Sequence, residues 1–192
     1  MNQTNISESM EKFKNNYYNE HNKNILFKKS QKLDCAIQLC HSPDFHLETA
    51  IKNTVYILPD SNRIFLNYEI FKYYGNPENY EEIVNYILSL ILLCISKFES
   101  FEFHVNINSF TISAAQRYTP VIQLFMNKCI MNNTEFAKLL TKMIVYNTPT
   151  LMNDISRLLR PMIDPIVTSK ITFYSKKETP VEIQNILTNQ KN

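Results

Sequence analysis

The sequence has 192 residues but only one glycine, Gly75, and no tryptophan. Phosphate-binding loops of the Walker or dinucleotide type need several glycines, because only a residue without Cβ lets the backbone approach phosphate closely. The sequence therefore excludes both kinds of nucleotide-binding loop. The formal net charge is only +2, so no strong overall field favours nucleic acid as a partner.

Cysteine is scarce, and its four positions do not form the framework of a secreted disulfide-rich domain. Cys94 and Cys129 lie in apolar segments and are predicted to be buried thiols. One metal-like pattern, C-x4-C-H-x4-H, consists of Cys35, Cys40, His41 and His46. Because a helix does not bring the first three of these residues onto one face, we predict no metal site. No pattern indicates a cofactor.

Long apolar runs are missing as well. The most apolar window, 83–95, has 13 residues, whereas a membrane-spanning helix needs about 20. The first 14 residues are polar and lack the apolar stretch of a signal peptide. We therefore expect a cytoplasmic protein whose contact with membranes, if any, is peripheral.

Strand-like and helix-like segments alternate along the chain. Apolar alternation and β-branched residues predict strands at 54–58, 63–67, 101–107, 142–146 and 170–174. Helical spacing predicts helices at 78–97, 113–131, 134–140 and 149–163. A capping box at Thr179 predicts a final helix with Ile183, Ile186 and Leu187. Strands separated by helices pair in parallel, so we predict an α/β domain with a mostly parallel sheet of about five strands flanked by helices.

The chain is expected to have two parts. Residues 1–50 form a polar, helical N-terminal extension, and residues 51–192 form the α/β domain. In the extension, Met10, Phe13 and Tyr17 have helical spacing but strongly polar surroundings. That composition is typical of a tail or of a lightly docked helix.

A more specific pattern runs from residue 142 to residue 171. A strand ends in Asn147-Thr148-Pro149, a helix ends in Arg160-Pro161, and a Ser169-Lys170-Ile171 step leads into the next strand. This stretch closely resembles the C-terminal half of the CRAL-TRIO domain, and the resemblance extends more weakly over about residues 54–176. It implies a domain that holds one lipophilic molecule between its sheet and a mobile gate helix. Typical members carry an N-terminal helical lobe before this domain, and because only about 50 residues precede the first predicted strand here, we expect this lobe to be trimmed or absent.

The resemblance also implies where such a ligand lies. Helix 149–163 and the segment 164–170 correspond to the gate or its hinge region, and the strands at 103–107 and 143–146 correspond to the pocket floor. The side chains expected to line the pocket are Phe103, Val105, Ile107, Phe125, Ile144, Tyr146, Leu151, Ile155, Leu158, Leu159 and Phe173.

Two lysines are expected to contact an anionic headgroup. Lys170 matches the headgroup lysine of the family, and Lys138 stands where a family member has an acid. A family glycine near the gate aligns with Thr141, and the family's Tyr-Pro pair is absent. Residues 128–177 carry eight basic against three acidic side chains, a balance that favours peripheral contact with anionic lipid.

The predicted function is therefore non-enzymatic binding of a lipid or another small hydrophobic ligand, with an anionic phospholipid as a candidate. The alternative is a protein-interaction adaptor that keeps the fold and fills its pocket. The filling side chains would be Phe103, Phe125, Met143, Tyr146 and Met162. A third hypothesis, a hydrolase that uses His104 beside Glu102, has less support because no G-x-S-x-G or H-E-x-x-H motif is present.

Overall fold

A five-stranded sheet forms the centre of the computed structural model, which describes residues 3–21, 27–131, 135–181 and 183. The strands, which lie side by side in chain order, are β1 Val55–Ile57, β2 Arg63–Asn67, β3 Phe101–Asn106, β4 Leu140–Thr148 and β5 Ile171–Ser175. β1 and β2 are antiparallel, and each later pair is parallel. The mostly parallel sheet flanked by helices that the sequence predicts is therefore confirmed.

Helices surround this sheet. In chain order they are α1 Gln3–Glu20, α2 Lys28–Cys40, α3 Leu47–Thr54, α4 Tyr68–Tyr74, α5 Tyr80–Phe98, α6 Ile112–Met131, α7 Phe136–Leu139, α8 Met152–Leu159 and α9 Pro165–Thr168. A 3₁₀ turn, Arg160–Met162, joins α8 to α9. The sequence analysis did not predict α3 or α4. Of the final helix predicted from Thr179, Ile186 and Leu187 lie outside the described residues. Within the described part of the chain, no helix combines the length and apolarity needed to cross a membrane.

Helix α1 is packed firmly onto the rest of the molecule. Met10 and Tyr17 are buried, and Met10 belongs to the same apolar core as Ile64 and Ile83. The Tyr17 hydroxyl donates a 2.6 Å hydrogen bond to Asp34 of α2. The polar composition of residues 1–29 did not reveal this docking, because only one narrow face of α1 is apolar.

The register of the parallel strands determines which side chains share a face of the sheet. Phe103 pairs with Met143, and Val105 pairs with both Leu66 and Val145. Paired residues of neighbouring strands point to the same side, and alternate residues point to opposite sides. We call the side that carries Leu66, Phe103, Val105, Met143 and Val145 the front face. The back face carries Phe65, His104, Ile144 and Tyr146.

Candidate functional site: a cavity between the sheet and the helices

A cavity of about 1110 Å³ lies between the front face and helices α5, α6 and α8. Its wall is mostly apolar and includes Leu66, Val105 and Val145 from the sheet and Ile87 from α5. Cys129 of α6 also lines it, and burial raises the pKa of this thiol to about 12. Cys129 is therefore neutral at physiological pH and adds to the apolar wall. Small-molecule pockets in proteins typically have volumes of roughly 300–1,000 Å³, so the space is sufficient for a lipid-sized molecule.

Seven of the side chains expected to line the pocket lie on the cavity wall. They are Phe103, Val105, Ile107, Phe125, Ile155, Leu159 and Phe173. Of the side chains that the adaptor hypothesis assigns to filling the pocket, Phe103, Phe125, Met143 and Met162 line the cavity and leave it open. That hypothesis requires a volume below roughly 300 Å³, well under the volume observed.

Two expected pocket residues on β4 lie on the other side of the sheet. Ile144 and Tyr146 are on the back face, where they pack with Phe65. The cavity residues of β4 are instead Met143 and Val145. A one-residue change of phase exchanges the two faces of a strand, and the nearly continuous apolar run of β4 shows no alternation from which the phase can be read.

Two further expected residues, Leu151 and Leu158, also lie off the cavity wall. Leu151 is 54% exposed and precedes the first residue of α8, and Leu158 is 36% exposed. Ile155 is fully buried and faces the cavity, as does Leu159 one turn later. Helix α8 begins at Met152, three residues later than predicted, so Leu151 lies before the helix.

A large part of the wall comes from side chains of α5 and α6 that were not among the predicted pocket residues. These side chains are Ile83, Val84, Ile87 and Ile91 of α5, and Tyr118, Val121, Ile122 and Met126 of α6. For α5 the sequence did indicate burial, because a helix that is apolar around most of its circumference must be covered on several sides.

Charged side chains border the cavity where α7, α8 and α9 meet. Lys138, Arg157 and Arg160 line this part of the wall together with Glu135 and Asp164. Lys138 forms an ion pair with Glu135. We call this group the charged rim, and its basic members are the candidates to meet a polar head.

Lys170, expected at the headgroup, does not line the cavity. Its ammonium group donates to the backbone carbonyls of Ala137 at 2.8 Å, Lys138 at 3.1 Å and Leu140. The Ala137 and Lys138 carbonyls belong to the end of α7, where backbone acceptors lack partners inside the helix, and Leu140 is the residue that follows α7. Lys170 thus joins the start of β5 to α7.

A family model of the CRAL/TRIO domain matches residues 60–190. The chain belongs to this family. The resemblance drawn from residues 142–171 is therefore confirmed. Domains of the CRAL-TRIO family generally bind lipids or other small hydrophobic ligands, and its members are typically lipid-binding transfer proteins.

One matching solved structure is the crystal structure of Sfh5, a CRAL-TRIO protein. It superposes with a TM-score of 0.51 at 13% sequence identity, over 82% of this chain and 54% of Sfh5. The chain thus spans about half the length of Sfh5, and the likeness shows a shared fold. None of the curated proteins matches the chain.

The cysteine and histidine residues of the metal-like pattern are dispersed in this CRAL-TRIO domain. The Cys40 sulfur accepts from the Asn76 and Asn79 side chains at 3.4 Å each. His41 lies 3.1 Å from Glu78. Across the ranges that the structure describes, no three His, Cys, Asp or Glu side chains converge as metal ligands.

His104 is the most buried histidine of the described chain, and it lies on the back face of the sheet, away from the cavity. Its Nε2 is 3.1 Å from Glu102, and its Nδ1 is 2.9 Å from the Tyr146 hydroxyl oxygen. Burial lowers the pKa of His104, and the hydrogen bond with Glu102 opposes part of that change. The imidazole is therefore neutral and enclosed, and its two nitrogens are both engaged.

Protonation of His104 should make stability depend on pH. In the unfolded chain a histidine titrates near pH 6.5, and the folded pKa is lower, so the unfolded state takes up more protons as the pH falls below about 6.5. We expect the free energy of unfolding to decrease between pH 7.5 and pH 5. Urea denaturation should show that His104→Gln removes part of this decrease. A pH dependence of His104→Gln equal to that of the wild type would contradict the assignment of this decrease to His104.

Proposed function

We propose that this CRAL-TRIO chain binds one lipid or other small hydrophobic molecule in the cavity and catalyses no reaction. The observation that carries the proposal is an open, mostly apolar space of about 1110 Å³ between the front face and α5, α6 and α8. Removing apolar surface from water contributes roughly 25 cal/mol per Å², so each 100 Å² of ligand surface buried here stabilises the complex by about 2.5 kcal/mol, before the costs of association.

A polar head would lie at the charged rim. Lys138, Arg157 and Arg160 supply three positive charges there, against the carboxylates of Glu135 and Asp164. A phosphate group is recognised well by guanidinium groups, which donate paired hydrogen bonds in a fixed geometry. An anionic phospholipid is accordingly the ligand class that we favour, with Lys170 supporting the rim through its bonds to the α7 carbonyls.

The side of the molecule that carries the charged rim is also the side that would contact a membrane. We call Leu151–Thr168, from the residue before α8 to the end of α9, the α8–α9 segment. Its exposed apolar side chains are Leu151, Leu158 and Ile166. It also carries the basic side chains Arg157 and Arg160. Basic residues near an anionic bilayer contribute about 1 kcal/mol each. We propose a cytoplasmic protein that contacts anionic membranes through this surface while it exchanges ligand.

The α8–α9 segment is also the element that we propose as the gate. In α8 only Ile155 is buried, and neither the 3₁₀ turn nor α9 buries any residue. Segments with few buried apolar contacts open at the lowest free-energy cost. This segment therefore covers the cavity with less resistance to opening than α5, which buries seven side chains.

Hydrogen exchange should reveal this difference. We expect the amides of α8 and α9 to exchange at least about tenfold faster than those of α5, corresponding to ~1.4 kcal/mol in opening free energy. Mass-spectrometric exchange before and after addition of phospholipid vesicles measures it. Protection of α8 equal to that of α5 in the ligand-free protein would contradict a mobile gate.

Native mass spectrometry of the purified protein, combined with lipid extraction, tests the proposed function. We expect one bound molecule of lipid or of a similarly apolar compound per chain, or uptake of one from mixed vesicles. A chain that carries no such molecule after purification and takes none up from vesicles would contradict the proposal. In that case the cavity would have another role.

A further inference from the structure

Arg117, in the first half of α6, is a buried cation without an acidic partner. Its residue is 6% exposed, and within the described chain it forms no ion pair. Its Nη2 lies 3.5 Å from the Tyr118 hydroxyl oxygen, a long contact, and its Nε has no hydrogen-bond partner. A buried guanidinium is costly unless opposite charge and acceptors compensate for its lost hydration. Stacking on the Tyr118 ring, 4.7 Å from the guanidinium carbon to the centroid, supplies only part of that.

A second buried polar group beside Arg117 lacks a partner too. The Tyr80 hydroxyl, at the start of α5, makes no hydrogen bond, and its residue is 4% exposed. Burial raises the pKa of Tyr68, Tyr80 and Tyr118, and the nearby charge of Arg117 opposes the rise at each. The three phenols are therefore neutral. The Tyr118 O–H donates to the Lys72 backbone carbonyl at 3.4 Å, whereas the Tyr80 O–H has no acceptor and can donate to an anion.

Two acidic side chains of the adjoining helices have other partners. Glu69 of α4 accepts from Asn106 at 3.3 Å and from Asn108 at 3.0 Å. Glu11 of α1 pairs with Lys14 and accepts from Tyr73. The Arg117 Nε and the Tyr80 hydroxyl are thus donors without an acceptor, and the carboxylates of Glu69 and Glu11 have partners of their own.

This group adjoins the cavity through its tyrosines. Tyr68 and Tyr118 line the cavity wall, and the Tyr118 ring and hydroxyl lie against Arg117, which does not itself line the wall. We infer that Arg117, with the Tyr80 hydroxyl, binds one oxyanion group, a carboxylate or a phosphate. The oxyanion has two possible sources. If it is the acidic head of an amphiphile whose chain occupies the cavity, the inference rests on the proposed function; if it is a free inorganic anion such as phosphate, it does not.

The position favours an acidic amphiphile. Ile130, which also lines the cavity, follows Arg117 by 13 residues along α6, a distance of about 20 Å at 1.5 Å per residue. A single-chain acid such as a long-chain fatty acid would therefore extend along α6 with its carboxylate at Arg117. Its chain would end near the charged rim. Its carboxylate would therefore lie at the opposite end of the cavity from a phospholipid head held at that rim.

The test uses the full chain, with oleate, oleyl alcohol and inorganic phosphate as probes. We expect Arg117→Gln to weaken oleate binding by about 10- to 100-fold, the range for a charged hydrogen bond, and to leave oleyl alcohol binding unchanged. Tyr80→Phe should weaken oleate binding less. Arg63→Gln, an exposed arginine of the back face, is the matched control and should change neither affinity. Isothermal titration calorimetry measures the affinities of the wild type and of the three variants for oleate and oleyl alcohol.

Thermal unfolding without lipid separates the two sources of the anion. If phosphate raises the melting temperature of the wild type but not of Arg117→Gln, while oleate and oleyl alcohol bind both proteins equally, the occupant is a free anion and the site still stands. If Arg117→Gln alters neither oleate binding nor the phosphate effect, the inference is overturned. Should Arg117→Gln not fold, Tyr80→Phe gives the same comparison. Failure of both lipid probes to bind the wild type would contradict the proposed function, and the phosphate arm would still decide the role of Arg117.

Discussion

Replacing Val105 by tryptophan should abolish ligand uptake while the protein remains folded. Val105 lies at the centre of the front face, between Leu66 and Val145, and its side chain lines the cavity. An indole at this position extends into open space, so the overpacking penalty should stay within about 1–3 kcal/mol. The ligand then loses the volume that its chain would fill. We expect affinity for a hydrophobic ligand to fall more than about tenfold, or ~1.4 kcal/mol.

The matched control is Leu93→Trp, which adds a similar side chain at an exposed position of α5 off the cavity wall. A ligand that binds the folded state raises the melting temperature, so the comparison is the shift on adding lipid. We expect a shift in the wild type and in Leu93→Trp, and little or none in Val105→Trp. A full shift in Val105→Trp would place the ligand elsewhere.

Replacing Asn106 by leucine should cause one of the largest losses of stability. Asn106 is fully buried at the end of β3, where its Nδ2 donates to Asn67 at 2.9 Å and to Glu69 at 3.3 Å. Its Oδ1 accepts from Asn147 at 2.8 Å and from the Asn108 backbone N–H. Leucine has nearly the same volume but leaves these partners unsatisfied, each at a cost of up to about 1–3 kcal/mol.

We therefore expect Asn106→Leu to lower the free energy of unfolding by about 3 kcal/mol. For a chain of this length that corresponds to roughly 10 °C in melting temperature. Chemical denaturation gives the value, with Asn16→Leu, an exposed position on α1, as the control that should change little. A loss below about 1 kcal/mol would mean that the amide network linking β2, β3 and β4 is dispensable.

The local pattern of the sequence was enough to predict the α/β fold and the positions of the five strands along the chain. Period-two alternation in 101–107 also gave the correct front-face residues of β3, because one side of that strand carries Glu102 and His104. In β4 both sides are apolar, so the phase that distinguishes Met143 from Ile144 depends on pairing with β3. Pairing register is a tertiary property and is not present in the local pattern.

The positions of the basic residues were harder to predict for the same reason. Lys170 sits in a recognisable motif, yet its ammonium group caps α7, more than thirty residues earlier in the chain. Arg117 looked like an ordinary helix residue. Its isolation from carboxylates arises only when α1, α4, α5 and α6 come together, and no spacing rule along one helix predicts it.

The central claim is that a hydrophobic ligand occupies the space in front of the sheet. Methyl-labelled NMR spectra recorded during titration with a phospholipid or a fatty acid test it most directly. We predict that the methyl resonances of Val105, Val145 and Ile155 shift on binding, while that of Ile144, on the back face, does not. A spectrum in which Ile144 shifts and Val105 and Val145 stay fixed would contradict the claim, as would one that no hydrophobic ligand perturbs.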